Sequence, residues 1–182
     1  MLYRIITQSR IFNQYRLKQA VRLSDASFVY ENSGRRVILR PQAMMKFVDM
    51  QDPRITTALE ITKKVISDIQ DFCKQNDIDL YVVVIPVKEN VYWPHAMKDL
   101  KGENLERMRR LNDNLSRIRG VLFGFFEEKG IAYVDVLEPL RDGVFENVLY
   151  PEADGHPNGQ GYKVIADSIG RVAGRAITAV EK

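Results

Sequence analysis

The chain has little of what builds cross-linked, metallated or membrane-embedded proteins. It contains one cysteine in 182 residues, which rules out an internal disulfide. That residue, Cys73, falls on the apolar side of a predicted helix, where a thiol behaves as a small hydrophobe and lacks the electropositive surroundings of a nucleophile. Two histidines leave no basis for a histidine-rich metal shell. No apolar run approaches the ~20 residues of a membrane-spanning helix. Arg4 and Arg10 interrupt the N-terminal stretch too early for the apolar core of a signal peptide. There is no internal repeat, no low-complexity tract and no glycine-lysine loop after a strand, so neither a solenoid nor a phosphate cradle is expected. No cofactor is expected, and the compartment is not legible.

What is present fits one ordinary globular domain, with 45% hydrophobic and 28% charged residues. The net charge of +3 is unevenly spread. Residues 1–50 hold nine Lys/Arg against three Asp/Glu, a balance of +6, which leaves −3 on the rest. No compact basic block appears, and no interleaving of aromatics with arginine, so the excess reads as a solvated face whose arginines dock carboxylates. Nucleic acid is not an expected partner.

Along the chain, the spacing predicts an amphipathic helix over residues 3–23, with Ile5, Ile6, Phe12, Tyr15 and Val21 among its apolar positions. A hairpin follows, Phe28-Val-Tyr30 and Arg36-Val-Ile-Leu39, around Asn32-Ser-Gly34 and ended by Pro41. This segment, residues 1–50, reads as a basic, peripheral addition. Residues 51–182 hold a cleaner pattern. Asp52-Pro53 is a helix start, leading an apolar stripe of Ile55, Leu59, Ile66, Ile69 and Cys73, widened by Val65 and Phe72. Leu80 to Ile85 is a continuous β-branched run, the signature of a parallel strand buried on both faces. A helix from about Asn104 to Lys129, capped by Gly130, precedes a second strand, Ile131 to Val136, and a last helix begins at Asn158 or Gly159. Helix and strand alternating in this way predict an α/β fold with a short parallel sheet between helical layers. Two strands are too few for such a sheet. Either earlier strands or a partner molecule should complete it.

Ligands of open parallel sheets collect at the carboxyl ends of the strands. Three segments converge there: Pro86 to Tyr92, Asp135 to Arg141, and the loop Tyr150-Pro-Glu-Ala-Asp154-Gly-His156-Pro-Asn158-Gly-Gln-Gly161-Tyr162. Asp154 two residues ahead of His156 can fix one imidazole tautomer and stabilise its charged form, the base half of a Ser-His-Asp hydrolase. Lys88 and Glu89, just past a strand, are candidate substrate-binding residues. Tyr92 and Trp93 serve as lid packing before sugar stacking. His95, in a polar loop after Trp93-Pro94, has no carboxylate at comparable spacing. Glu152, Asp154 and His156 are acceptable ligand types, but three within five residues of one loop rarely meet on one ion, so no metal site is expected.

These residues, in this order, resemble the SGNH (GDSL-like) hydrolases. The strand ending Val-Ile-Pro86-x-Lys88-Glu89-x-Val-Tyr92 is similar to the fourth-strand region of bacterial members, including those akin to polysaccharide O-acetyltransferases. Asp154-Gly-His156-Pro-Asn158-x-x-Gly161-Tyr162 resembles the family's last block, and the N-terminal helix and hairpin resemble the linker ahead of these strands. The resemblance implies a partial flavodoxin-like three-layer α/β/α fold in which Asp154 orients His156 as general base, then acid. It also implies a nucleophilic serine in a Gly-Asp-Ser block, with a glycine and an asparagine from two further blocks. None of these blocks occurs, and none of Ser9, Ser24, Ser27, Ser33, Ser67, Ser116 or Ser168 follows a Gly-Asp. The expectation is therefore the C-terminal half of an esterase or O-acyltransferase for carbohydrate or lipid esters. It carries the base without the serine, is inactive alone, and is partnered by a missing N-terminal half or by another copy. The alternative is a non-catalytic interaction module that self-associates or binds a partner through an open sheet edge.

Overall fold

The structure, a computed structural model, describes residues 27–32 and 35–180; the helix expected over residues 3–23 lies outside them. The elements are β1 (Phe28–Asn32), β2 (Arg35–Leu39), α1 (Pro41–Met45), α2 (Pro53–Gln75), β3 (Tyr81–Val84), α3 (Lys88–Asp99), α4 (Gly102–Lys129), β4 (Ala132–Asp135), α5 (Leu137–Glu146) and α6 (Gly159–Val180). The fold is α/β, with two separate two-stranded sheets, β1–β2 and β3–β4.

The parallel pair runs from Tyr81↔Ala132 to Val84↔Asp135. β3 has the β-branched composition of a central strand but one neighbour, and all four of its residues are only half-buried. The expectation of burial on both faces therefore fails for β3, and Ile85 just beyond it is 51% exposed. The reason is the absent second neighbour: one edge of β3 keeps unpaired backbone groups among the described residues.

The hairpin forms as expected, in antiparallel register from Phe28↔Leu39 to Asn32↔Arg35. It is not peripheral. Tyr30, Val37 and Leu39 are buried and pack with Ala96 of α3 and Met108 of α4. Alternation explains part of this, since Val37 and Leu39 share one face of β2. Ile38, on the other face, is fully buried, and its N–H donates to the Glu152 carbonyl at 2.8 Å.

α2 begins as its sequence dictates, with the Asp52 carboxylate accepting the Arg54 N–H at 2.9 Å and Pro53 at the first helical position. Its apolar residues divide into two stripes at helical spacing. Leu59 and Cys73 are buried, with Gln70 beside them donating to the Lys129 carbonyl at 3.0 Å. Ile61, Val65, Ile69 and Phe72 form a second stripe, and all four are exposed. α4 ends at Gly130, whose φ of 62° is the left-handed cap position.

Three helices, α1, α3 and α5, were not separately legible. α3 carries Pro94 in its interior, so His95 sits in a helix and is buried, contrary to the polar loop expected. Proline deprives the Asn90 carbonyl of its i+4 donor. The Arg141 guanidinium of α5 replaces it, donating to that carbonyl from Nη2 at 3.1 Å and Nε at 3.3 Å. α5 starts where the Asp135 carboxylate, paired with Arg119, accepts the Leu137 N–H at 3.0 Å. The main core gathers Val91, Val134, Val136, Leu140, Leu149 and Ile165 from α3, β4, α5 and α6.

Arg141→Ala should destabilise the protein by about 1–3 kcal/mol, the cost of leaving a buried carbonyl unpaired. In a Pro94→Ala background the helix supplies its own N–H, and the same substitution should cost distinctly less. Chemical denaturation of the four proteins in this cycle measures the difference; equal costs in both backgrounds would mean that Arg141 does not stand in for the missing donor.

Candidate active site

The loop between α5 and α6 is tied at its base before it does any chemistry. Leu149 and Tyr150 are buried to within 1%. The Leu149 carbonyl accepts the Asn158 N–H at 2.8 Å. Asn158 then caps α6, its Oδ1 accepting the N–H groups of Gln160 at 2.9 Å and Gly161 at 3.1 Å, while its amide donates to the Val148 carbonyl. Gly161 is required by this closure, because a Cβ there would lie 2.7 Å from the Leu149 oxygen.

Between these ties, Asp154 and His156 meet. One carboxylate oxygen, Oδ1, accepts both the His156 backbone N–H at 3.0 Å and the ring Nδ1–H at 2.8 Å. A carboxylate can only accept, so this bond selects the tautomer with hydrogen on Nδ1 and leaves Nε2 as the acceptor. The backbone N–H of His156, then its ring, holds the Asp154 carboxyl below the usual carboxylate range. The pair is well solvated, with the imidazole 82% and the carboxylate 55% exposed. The two sequence-derived catalytic candidates are thus in hydrogen-bonding contact, on the loop that leads into α6.

Lys88 and Glu89 occupy a different position from the substrate-facing one expected. Each is 3% exposed, at the start of α3. The Lys88 ammonium donates to the Asp154 carbonyl at 2.9 Å, and Glu89 Oε1 accepts the Arg40 N–H at 2.9 Å. Burial pushes the Lys88 pKa down, against the opposing attraction of Glu89. Both residues therefore lie under the loop and are engaged within the chain. Being unpaired in sequence with any obvious partner, they gave no signal that would separate supporting from contacting roles.

Three neighbours were not singled out. Tyr150 is buried with an unpartnered hydroxyl, and desolvation raises its pKa strongly. Asn90 donates to Asn112 at 2.6 Å in a buried pair whose second member donates to the Met108 carbonyl at 2.9 Å. Arg40 closes the hairpin over Glu89. Tyr92 packs edge-on to Tyr30 and Tyr150, with ring centroids 6.4 and 6.1 Å apart, a packing role rather than an open stacking platform. Burial lowers the pKa of His95, reinforced by Lys98 and Arg141.

No serine, threonine or cysteine among the described residues hydrogen-bonds to His156. The Ser168 hydroxyl is spent on the Val164 carbonyl at 2.8 Å, and Cys73 is buried in α2. Glu152 lies 3.5 Å from Arg36, and among the described residues no three His, Cys, Asp or Glu side chains group closely enough to hold a metal ion. No helix among them is long and apolar enough to cross a membrane.

Gly161→Ala should cost about 1–3 kcal/mol, since the clash is with backbone that must move; thermal unfolding tests this, and an unchanged midpoint would refute the close approach. Asp154 should titrate below the usual carboxylate range, and His156→Ala, which removes the ring donor but keeps the backbone one, should raise its midpoint part of the way back. A depressed folded-state pKa means that its stabilisation is complete above the unfolded value and lost as pH falls through the folded one. A carboxyl-carbon NMR titration reads the midpoint directly.

Comparison with protein-family models, curated proteins and solved structures finds no match to this chain.

Proposed function

We propose that this chain carries the His/Asp base, but not the serine, of an SGNH-like serine esterase or O-acyltransferase acting on carbohydrate or lipid esters. The observation that carries this reading is the Asp154–His156 contact, with Nδ1 held at 2.8 Å on a ring that is 82% exposed. In the reaction, Nε2 accepts the proton of a serine hydroxyl as its oxygen bonds to the acyl carbon. The resulting imidazolium, steadied by the Asp154 carboxylate, returns that proton to the leaving alkoxide when the ester C–O bond breaks. A second cycle passes the acyl group from the serine to water or to a sugar hydroxyl, with the same proton path.

Two further features are consistent with an incomplete catalytic unit. β3 offers an unpaired parallel edge, and the second stripe of α2 offers apolar cover for a neighbouring strand-and-helix unit. On this reading the three-layer α/β/α arrangement is completed by the segment that brings the serine.

The polypeptide alone should hydrolyse p-nitrophenyl acetate no faster than free imidazole at equal concentration. Faster turnover that disappears in a folded His156→Ala variant would overturn the claim that the nucleophile is absent.

The same exposed stripe, Ile61, Val65, Ile69 and Phe72, favours a second reading: a non-catalytic module that self-associates or binds a partner through this face. Sedimentation equilibrium tests this second reading. Self-association that Val65→Glu abolishes supports the module, whereas a monomer at micromolar concentration counts against it.

A further inference from the structure

Lys88 is costly where it stands. It is the first residue of α3, where the helix dipole disfavours a cation, and it is 3% exposed. Among the described residues it forms no ion pair: neighbouring Glu89 accepts the Arg40 N–H with its Oε1, and the ammonium donates to a neutral carbonyl, that of Asp154. A buried charge without a carboxylate conflicts with local stability, and such conflicts gather at functional sites. A substrate contact would explain the conflict only if the ammonium met solvent, and the residue as a whole is 3% exposed.

The loop shows what the ammonium restrains. Ile38 holds Glu152 and Asn158 holds Leu149, but neither touches the Asp154–His156 turn itself. Gly155 between them has no atom within 4 Å of where a Cβ would stand, so packing places no limit on that pivot. The Asp154 carbonyl belongs to the peptide plane that joins Asp154 to Gly155. Fixing that oxygen fixes the direction in which the chain leaves Asp154 and thus where the His156 N–H and ring arrive.

We infer that Lys88 is the positioning residue of the Asp154–His156 pair: its buried ammonium holds the Asp154 carbonyl at 2.9 Å and thereby sets the turn that brings Nδ1 to the carboxylate. The inference rests on the reading of His156 as a base. Lys88 acts through the loop and touches neither substrate nor the reacting nitrogen.

The test is the tautomer of His156, read from the ¹⁵N shifts of its two ring nitrogens above the imidazole titration. The wild type should hold the Nδ1–H form. Lys88→Met, which keeps the stem and removes the donor, should lose that preference while far-UV dichroism stays unchanged; Lys88→Arg should restore part of it. A folded Lys88→Met protein that keeps the wild-type tautomer would overturn the positioning role and leave the base reading intact. A wild-type ring without the Nδ1–H preference would overturn the base reading, and the positioning role with it. Should Lys88→Met fail to fold, the wild type still decides. A slowly exchanging Lys88 ammonium with a through-hydrogen-bond coupling to the Asp154 carbonyl carbon supports the inference, and a freely exchanging one refutes it.

Discussion

The carbonyl of Leu149 is the point on which the site depends. It accepts the Asn158 N–H, and it approaches Gly161 so closely that only a residue without a Cβ fits. Because Leu149 and Tyr150 are buried in the main core, this knot ties the start of α6 to the α5 side of the fold. The seven residues from Pro151 to Pro157 are then a closed excursion between fixed ends. Closed excursions lose less entropy on ordering than free ones of the same length. A few further bonds therefore suffice: Ile38 to Glu152, Lys88 to Asp154, and the double acceptance by the Asp154 carboxylate. The hairpin, which adds nothing to the parallel sheet, contributes to this suspension directly.

The parallel sheet is the opposite case, a structure short of constraints. Valines in β3 are suited to a strand packed on both sides, yet β3 has one neighbour and remains half-exposed. α2 repeats the pattern, one stripe against the core and one facing outward. The two features have one physical meaning. Surface that water does not favour is displayed beside backbone groups that can still pair, which is the chemistry of an edge awaiting a strand rather than of a finished face.

Much of the fold was legible because local signals were strong. Asp52-Pro53 starts α2, Gly130 stops α4, and the β-prone runs Phe28–Asn32 and Arg35–Leu39 pair as β1 and β2. The Asp154–His156 contact was legible for the same reason, since two residues of separation bring the carboxylate to the backbone N–H and the ring Nδ1 of His156. What escaped is what depends on distant partners. Pro94 reads as a loop residue until Arg141, 51 positions from Asn90, supplies the missing donor. Lys88 and Glu89 look like solvent-facing ions until Asp154 and Arg40 close over them. The hairpin looks detachable because nothing in its own residues announces Glu152, Ala96 or Met108.

An imidazole that is four-fifths exposed is electrostatically quiet. Water screens its attraction to Asp154 and competes for Nε2. A surface brought over it would expel that water and strengthen every interaction inside. Covering the pair would therefore change the strength of its interactions with no change in its geometry, through nothing more than the removal of solvent.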